Sequence, residues 1–165
     1  MTKVIKAIPT TYKGIEFRSK LEAKYAQALD MLGIVWEYEG HGFRFDDGTC
    51  YSPDFYMPEI DTYLEVKGVM DEASRHKVEL TASEAHKRIV VGGPDGTLTM
   101  YNGTSSAWDP ASGGDSVPVR CTACGKAFLL DEEGGWSCPA CGAYDGDHYI
   151  EWLTNSPNLF KAVGW

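Results

Sequence analysis

Two cysteine pairs, Cys121-Thr-Ala-Cys124-Gly and Cys138-Pro-Ala-Cys141-Gly, constrain the fold of this chain more than any other feature. Two residues separate the members of each pair and thirteen separate the pairs. The short spacing lets both sulfurs of one turn reach a single ion, and the glycine after each pair permits that turn. Four thiolates suit one Zn²⁺ in a closed tetrahedral site with no open position, so the ion is expected to be structural. Two disulfides are the alternative. The N-terminal segment MTKVIKAIPTTYKG lacks the apolar stretch of a secretory signal, so the expected location is the cytoplasm, where such pairs hold metal. A ribbon this small needs its metal to fold. Residues 118–152 are therefore read as a zinc ribbon. Asp131, Glu132, Glu133, Asp145 and Asp147 surround it and suit it poorly to direct phosphate contact. Docking to a protein partner and contact through Arg120 and Lys126 both stay open.

Ahead of the ribbon, residues 103–117 (GTSSAWDPASGGDSV) are rich in Gly, Ser and Pro and have no periodicity, and they read as a linker. That leaves residues 1–102 as a first domain and 153–165 as a C-terminal tail. In the first domain, SKLEAKYAQALDMLG reads as a helix. Leu21, Tyr25, Ala28, Leu29 and Leu32 share one face, Ser19 is a natural N-cap and Gly33 a natural terminator. Residues 4–9 suggest a short strand or arm, and 34–39 a strand. GFRF, CYSPDFYMP and DTYLEVKG suggest three antiparallel strands. Residues 71–86 read as a second helix with Ala73, Val78 and Leu80 toward the core. KRIVVGG and GTLTMYNG read as two further strands. This order predicts an α/β fold, a mixed sheet flanked by helices. No apolar run is long enough to cross a bilayer.

The net charge of -9 argues against a protein that simply coats nucleic acid. The charge is uneven. Residues 1–24 carry six Lys and Arg against Glu16 and Glu22, so Lys13, Arg18 and Lys20 are the candidate phosphate contacts.

The chemically informative segment runs from Pro53-Asp54 to Glu65-Val66-Lys67. Side chains alternate along a strand, so Glu65 and Lys67 share one face while Leu64 and Val66 point into a core. A tight turn around Pro58–Asp61 brings Asp54 beside Glu65. Two carboxylates suit a hard divalent cation, which lowers the pKa of its bound water. The Val66 carbonyl completes the ligand set, and Lys67 orients the water or neutralises developing charge. The bland alternative is an exposed Glu65–Lys67 ion pair. Glu22 has two readings as well: a capping-box partner of Ser19, or a third metal carboxylate with Arg18 beside it to hold a phosphate. Cys50 and the strip Tyr51, Phe55, Tyr56 and Tyr63 read as packing residues. His41, His76, His86 and His148 lack metal-ligand spacing, although His76 with Arg75 and Lys77 has a route to DNA.

FRSKLEAKYA, the intervening WEYE, and YSPDFYMPEIDTYLEVKG together closely resemble the junction-resolving endonuclease I family of bacteriophages, and more broadly the PD-(D/E)xK nuclease superfamily. The resemblance covers roughly residues 10–70. It implies a restriction-endonuclease-like fold, Glu22, Asp54, Glu65 and Lys67 as the catalytic set, and Mg²⁺ or Mn²⁺ as cofactor. It also implies a homodimer acting on branched DNA such as Holliday junctions, with an N-terminal strand that is exchangeable between subunits. The acidic balance and the ribbon depart from that family. Two other readings follow: a restriction-like, nicking or exonuclease activity on the same fold, and a non-catalytic zinc-dependent adaptor for nucleic acid or protein.

Overall fold

The computed structural model describes residues 7–102, 114–131, 136–146 and 148–153. Two helices cover opposite faces of a mixed sheet, as the element order predicts. Helix α1 (Lys20–Leu32) starts where the Ser19 hydroxyl accepts the Glu22 amide and ends at Gly33, whose φ of 73° is the left-handed conformation that glycine adopts without strain. Ahead of it, β1 (Thr10–Tyr12) and β2 (Ile15–Phe17) form a small hairpin. Residues 7–9 are not strand, and residues 4–6 of the expected arm lie outside the described residues.

The strand expected over 34–39 narrows to β3 (Glu37–Tyr38). The segment CYSPDFYMP does not make one strand but two. β5 (Cys50–Tyr51) pairs with β4 (Phe43–Arg44) in a separate ladder, and β6 (Phe55–Met57) joins the main sheet. Pro53 lies at the break, where a residue without an amide hydrogen cannot continue a ladder. A short 3-10 turn at Pro58–Ile60, with Asp61 left-handed at φ 42°, then reverses the chain into β7 (Thr62–Val66). α2 (Glu72–Ser83), capped by Asp71, leads to β8 (Arg88–Gly92), which pairs parallel with β7, and β9 (Leu98–Asn102) follows. Among the described residues the sheet order is β11 (Ala127–Asp131), β10 (Gly114–Cys121), β9, β8, β7, β6, β3, with β12 (Ile150–Trp152) also paired to β10.

Alternation along β7, β8 and β9 sorts the core into two layers. Leu64, Val66, Val90, Leu98 and Met100 join the α1 layer, whereas Tyr63, Ile89, Val91 and Tyr101 pack under α2. From α2 the buried residues are Val78, Thr81 and Ala82. Ala73 is exposed, contrary to expectation, because the helical repeat puts it on the side of α2 away from Val78, Thr81 and Ala82.

The ribbon strands continue this sheet. β10 (Gly114–Cys121) begins inside the stretch read as a linker, and its first residues pair with β9 (Gly114 with Met100, Asp115 with Thr99). On its other side lies β11 (Ala127–Asp131). Pro118 falls between the β9 and β12 ladders, where no strand requires its amide hydrogen. Val119, Phe128, Leu129, Cys138 and Ile150 belong to the same buried cluster as the α1 layer. Residues 103–113 and 154–165 lie outside the described residues. Among the described residues no helix is long and apolar enough to cross a membrane.

Gly92 ends β8 against Tyr25 of α1, whose hydroxyl donates to the Gly93 carbonyl at 2.7 Å. A Cβ at Gly92 would lie 2.5 Å from Tyr25 Cζ. Gly92→Ala is expected to lower stability by about 1–3 kcal/mol through overpacking, read as a lower urea midpoint.

Candidate active site

The strands β6 and β7 pair up to Phe55 and Leu64, and beyond that point they diverge. Asp54 lies in the fork. Its Oδ2 accepts the Val66 amide at 2.8 Å, and its Oδ1 accepts Arg18 Nη2 at 2.8 Å. Glu22 approaches from α1, and Glu65 comes from β7. All three carboxylates are buried, with exposures of 4% for Glu22, 2% for Asp54 and 5% for Glu65. The exposed Glu65–Lys67 ion pair therefore does not form, and Glu65 instead accepts a hydrogen bond from the Tyr51 hydroxyl.

Glu22 matches its capping reading in part and also lies beside Arg18. Its amide is capped by Ser19, and its Oε2 accepts the Ser19 hydroxyl at 3.1 Å. Its Oε1 accepts the Tyr38 hydroxyl at 3.2 Å and lies 3.8 Å from Arg18 Nη2. Tyr38 is held by Phe17 and Phe55, at ring distances of 4.5 and 5.5 Å. The aromatic packing thus fixes a hydroxyl at the edge of the acidic group. Glu39, left-handed at φ 54°, donates its amide to the Asp54 carbonyl at 2.9 Å and accepts Arg18 Nη2 at 2.7 Å.

Grouping acids out of water has an electrostatic cost. Burial, then the neighbouring Asp54 carboxylate, pushes Glu22 up to about 7. Burial, then the charge of Glu65, pushes Asp54 up to about 7 as well, against the opposing Val66 amide. Arg18 is held firmly protonated: burial works against its charge, but Tyr38, Asp54, Glu39 and Glu22 outweigh it. Burial also pushes Tyr38 up to about 12, so it remains a hydrogen-bond donor.

The group opens onto a cleft of about 280 Å³ lined by Arg18, Cys50, Tyr51, Ser52, Glu65, Lys67, Ser74 and Lys77. Lys67 follows β7 and anchors its amide to the Gly92 carbonyl at 3.0 Å. Of the other expected phosphate contacts, Lys13 pairs with Asp30 at 2.8 Å, and neither Lys13 nor Lys20 lines this cleft. The sequence reading missed Tyr38, Glu39 and the hydrogen-bonding role of Tyr51. Tyr51 alternates with packing aromatics, and only the break at Pro53 would have signalled that it leaves the sheet.

The acidic group has the chemistry a hard divalent cation prefers, although among the described residues the four cysteines alone bring three or more ligand atoms within 4.8 Å of one another. The acidic group is all oxygen, it is buried, and two of its members carry raised pKa values that such a charge would relieve.

The four cysteines form a second cluster, with all four sulfurs within 4.8 Å of one another. The Cys121–Cys141 and Cys124–Cys138 sulfurs are each 3.7 Å apart. That is too long for a disulfide. It matches the edge of a thiolate tetrahedron around Zn²⁺, about 3.8 Å for a metal–sulfur bond of about 2.3 Å. Gly125 and Gly142, both left-handed, close equivalent turns by donating to the Cys121 and Cys138 carbonyls at 2.7 and 2.8 Å. The arrangement can bind a zinc ion. Elemental analysis is expected to give one zinc per chain, and none in Cys138→Ser. Because Cys138 lies in the shared core, this variant is also expected to melt at a lower temperature than wild type.

No family model matches the chain. A segment of 80 residues, 47% of the chain, is 32% identical to Endodeoxyribonuclease 1 of Enterobacteria phage T3. It covers 51% of that protein, so the chain spans about half the length of the curated relative it matches.

Proposed function

We infer that this chain is a divalent-cation-dependent endonuclease that hydrolyses phosphodiester bonds in DNA. The observation that carries the reading is that Arg18 contacts the buried Asp54 and Glu22 carboxylates and, with the buried Glu65 and with Lys67, lines one cleft. The name of the similar phage protein, an endodeoxyribonuclease, agrees with it.

Asp54, Glu65 and the Val66 carbonyl would hold Mg²⁺ or Mn²⁺, with Glu22 beside them. Such an ion supplies charge neutralisation and a more acidic coordinated water. The chain's own residues do the rest. The Val66 amide fixes the Asp54 carboxylate, and Tyr51 fixes that of Glu65. Arg18 neutralises charge beside the acids and offers its guanidinium to the phosphate being cut. Lys67 orients the attacking water and offsets charge that develops on phosphorus. The expected products are 5′-phosphate and 3′-hydroxyl ends. The preference for branched DNA and the homodimer rest on the resemblance of residues 10–70. The ribbon with its single structural Zn²⁺ stands as a module that selects the DNA or a protein partner.

The reading is tested with labelled four-way junction, linear duplex and single strand of matched sequence, with Mg²⁺ or Mn²⁺. Cleavage that needs the metal, favours the junction and falls at least about a hundredfold in Glu65→Ala is expected. A folded, zinc-loaded protein that binds DNA but cuts none of the three would move the assignment to an adaptor.

The raised pKa values also predict how stability varies with pH. An acid whose pKa is higher folded than unfolded binds its proton more tightly in the native state. Its contribution is therefore present near pH 4 and lost as pH rises through about 7. In EDTA, the melting temperature is expected to fall between about pH 5 and about pH 8, with a shallower slope in Asp54→Asn. Stabilisation by Mn²⁺ is expected to grow over the same window, because cation binding displaces those protons.

A further inference from the structure

The proposed reaction leaves one cation of the cleft unused. Lys77 belongs to α2, the helix on the opposite face of the sheet from α1, yet it lines the same cleft as Arg18, Glu65 and Lys67. Helix geometry accounts for this. Ser74 and Lys77 are three residues apart and share a face, while Val78, Thr81 and Ala82 turn toward the sheet. Three cations from three separate parts of the chain therefore line the cleft onto which Glu65 opens.

Their charges are not equally available. Arg18 is neutralised by Asp54 and Glu39, at 2.8 and 2.7 Å. Elsewhere Lys13 pairs with Asp30, Lys87 with Asp61 and Lys126 with Glu59. Among the described residues, neither Lys67 nor Lys77 forms an ion pair. Asp71 senses both lysines, but its carboxylate accepts the Ser74 amide at 2.7 Å and holds neither ammonium. In a chain of net charge -9 a polyanion is repelled at long range, so contact depends on local positive charge of this kind.

The geometry points to Lys77 as an anchor for the backbone phosphate next to the one being cut, with Lys67 assigned to the reacting phosphate. This rests on the reading that DNA enters the cleft. Lys77 is a binding residue, separate from the carboxylates that would hold the cation.

The test compares wild type, Lys77→Ala, Lys77→Arg and Lys87→Ala, the last as a charge control at the far end of β8. Binding to a short labelled duplex is followed by fluorescence anisotropy over a range of salt in EDTA, and cleavage by steady-state kinetics with Mg²⁺. Lys77→Ala is expected to reduce the slope of log affinity against log salt by about one. It is also expected to raise KM by about tenfold, with kcat moving less. Lys77→Arg should restore both, and Lys87→Ala should match wild type. An unchanged salt slope in Lys77→Ala overturns the inference, as does absence of DNA binding by wild type. The two readings separate cleanly. Wild-type cleavage with an unchanged Lys77→Ala leaves the nuclease and removes the anchor. A Lys77-dependent salt slope without cleavage keeps the anchor and removes the nuclease.

Discussion

Asp54 ties together β7, the entry to α1 and the end of β3. One carboxylate oxygen accepts the Val66 amide of β7, and the other accepts the guanidinium of Arg18 just ahead of α1. Its own carbonyl accepts the Glu39 amide at the end of β3. A residue exposed by only 2% thus sets the angle between two strands and the entry of a helix. The same bonds determine its electrostatics. Hydrogen bonds and Arg18 favour the charged form, whereas burial and Glu65 oppose it, and the opposing side prevails. A carboxyl group in that balance keeps its proton at acidic pH, and a multivalent cation that bound there would displace it to solvent.

The acids stay together because the surrounding packing does not let them separate. Phe17, Trp36, Tyr38 and Phe55 form a contiguous aromatic group behind Asp54 and Glu22. On the far side, Tyr25 fills the space that a side chain at Gly92 would need and fixes the end of β8 beside Lys67. The ribbon extends this framework. β10 pairs at one end with β9 and carries Cys121 at the other. Arg88 of β8, half-buried, donates to the Leu129 carbonyl of β11, and Lys126 pairs with Glu59 beside the turn before β7. Burial lowers the Arg88 pKa, and nearby Asp131 partly compensates. Metal at the four cysteines therefore bears on the edge of the central sheet as well as on its own turn.

Much of this was legible in the sequence where local rules and burial agree. Ser19, Gly33 and a regular apolar face define α1, and the Asp54–Glu65–Lys67 spacing follows from strand alternation across one tight turn. The cysteine spacing states the geometry of its own cluster. What escaped the sequence depends on tertiary placement. Residues 114–117 look like linker by composition, but β9 offers an unpaired edge that recruits them. Ala73 has an apolar side chain at a helical position, yet it lies off the face of α2 that packs on the sheet. Tyr51 reads as sheet packing until the break at Pro53 turns its hydroxyl toward Glu65. Lys77 was legible, with Arg75 and His76, as a basic residue with a route to DNA. That it lines the cleft with Glu65 depends on how α2 packs on the sheet.

The central claim is that Glu22, Asp54 and Glu65 are grouped to hold a divalent cation. The most direct measurement is anomalous diffraction from crystals grown with Mn²⁺. The account predicts a peak in the fork between β6 and β7, bonded to Asp54, Glu65 and the Val66 carbonyl, and absent in Asp54→Asn. Manganese bound elsewhere while the fork retains its Asp54–Arg18 contact would contradict it.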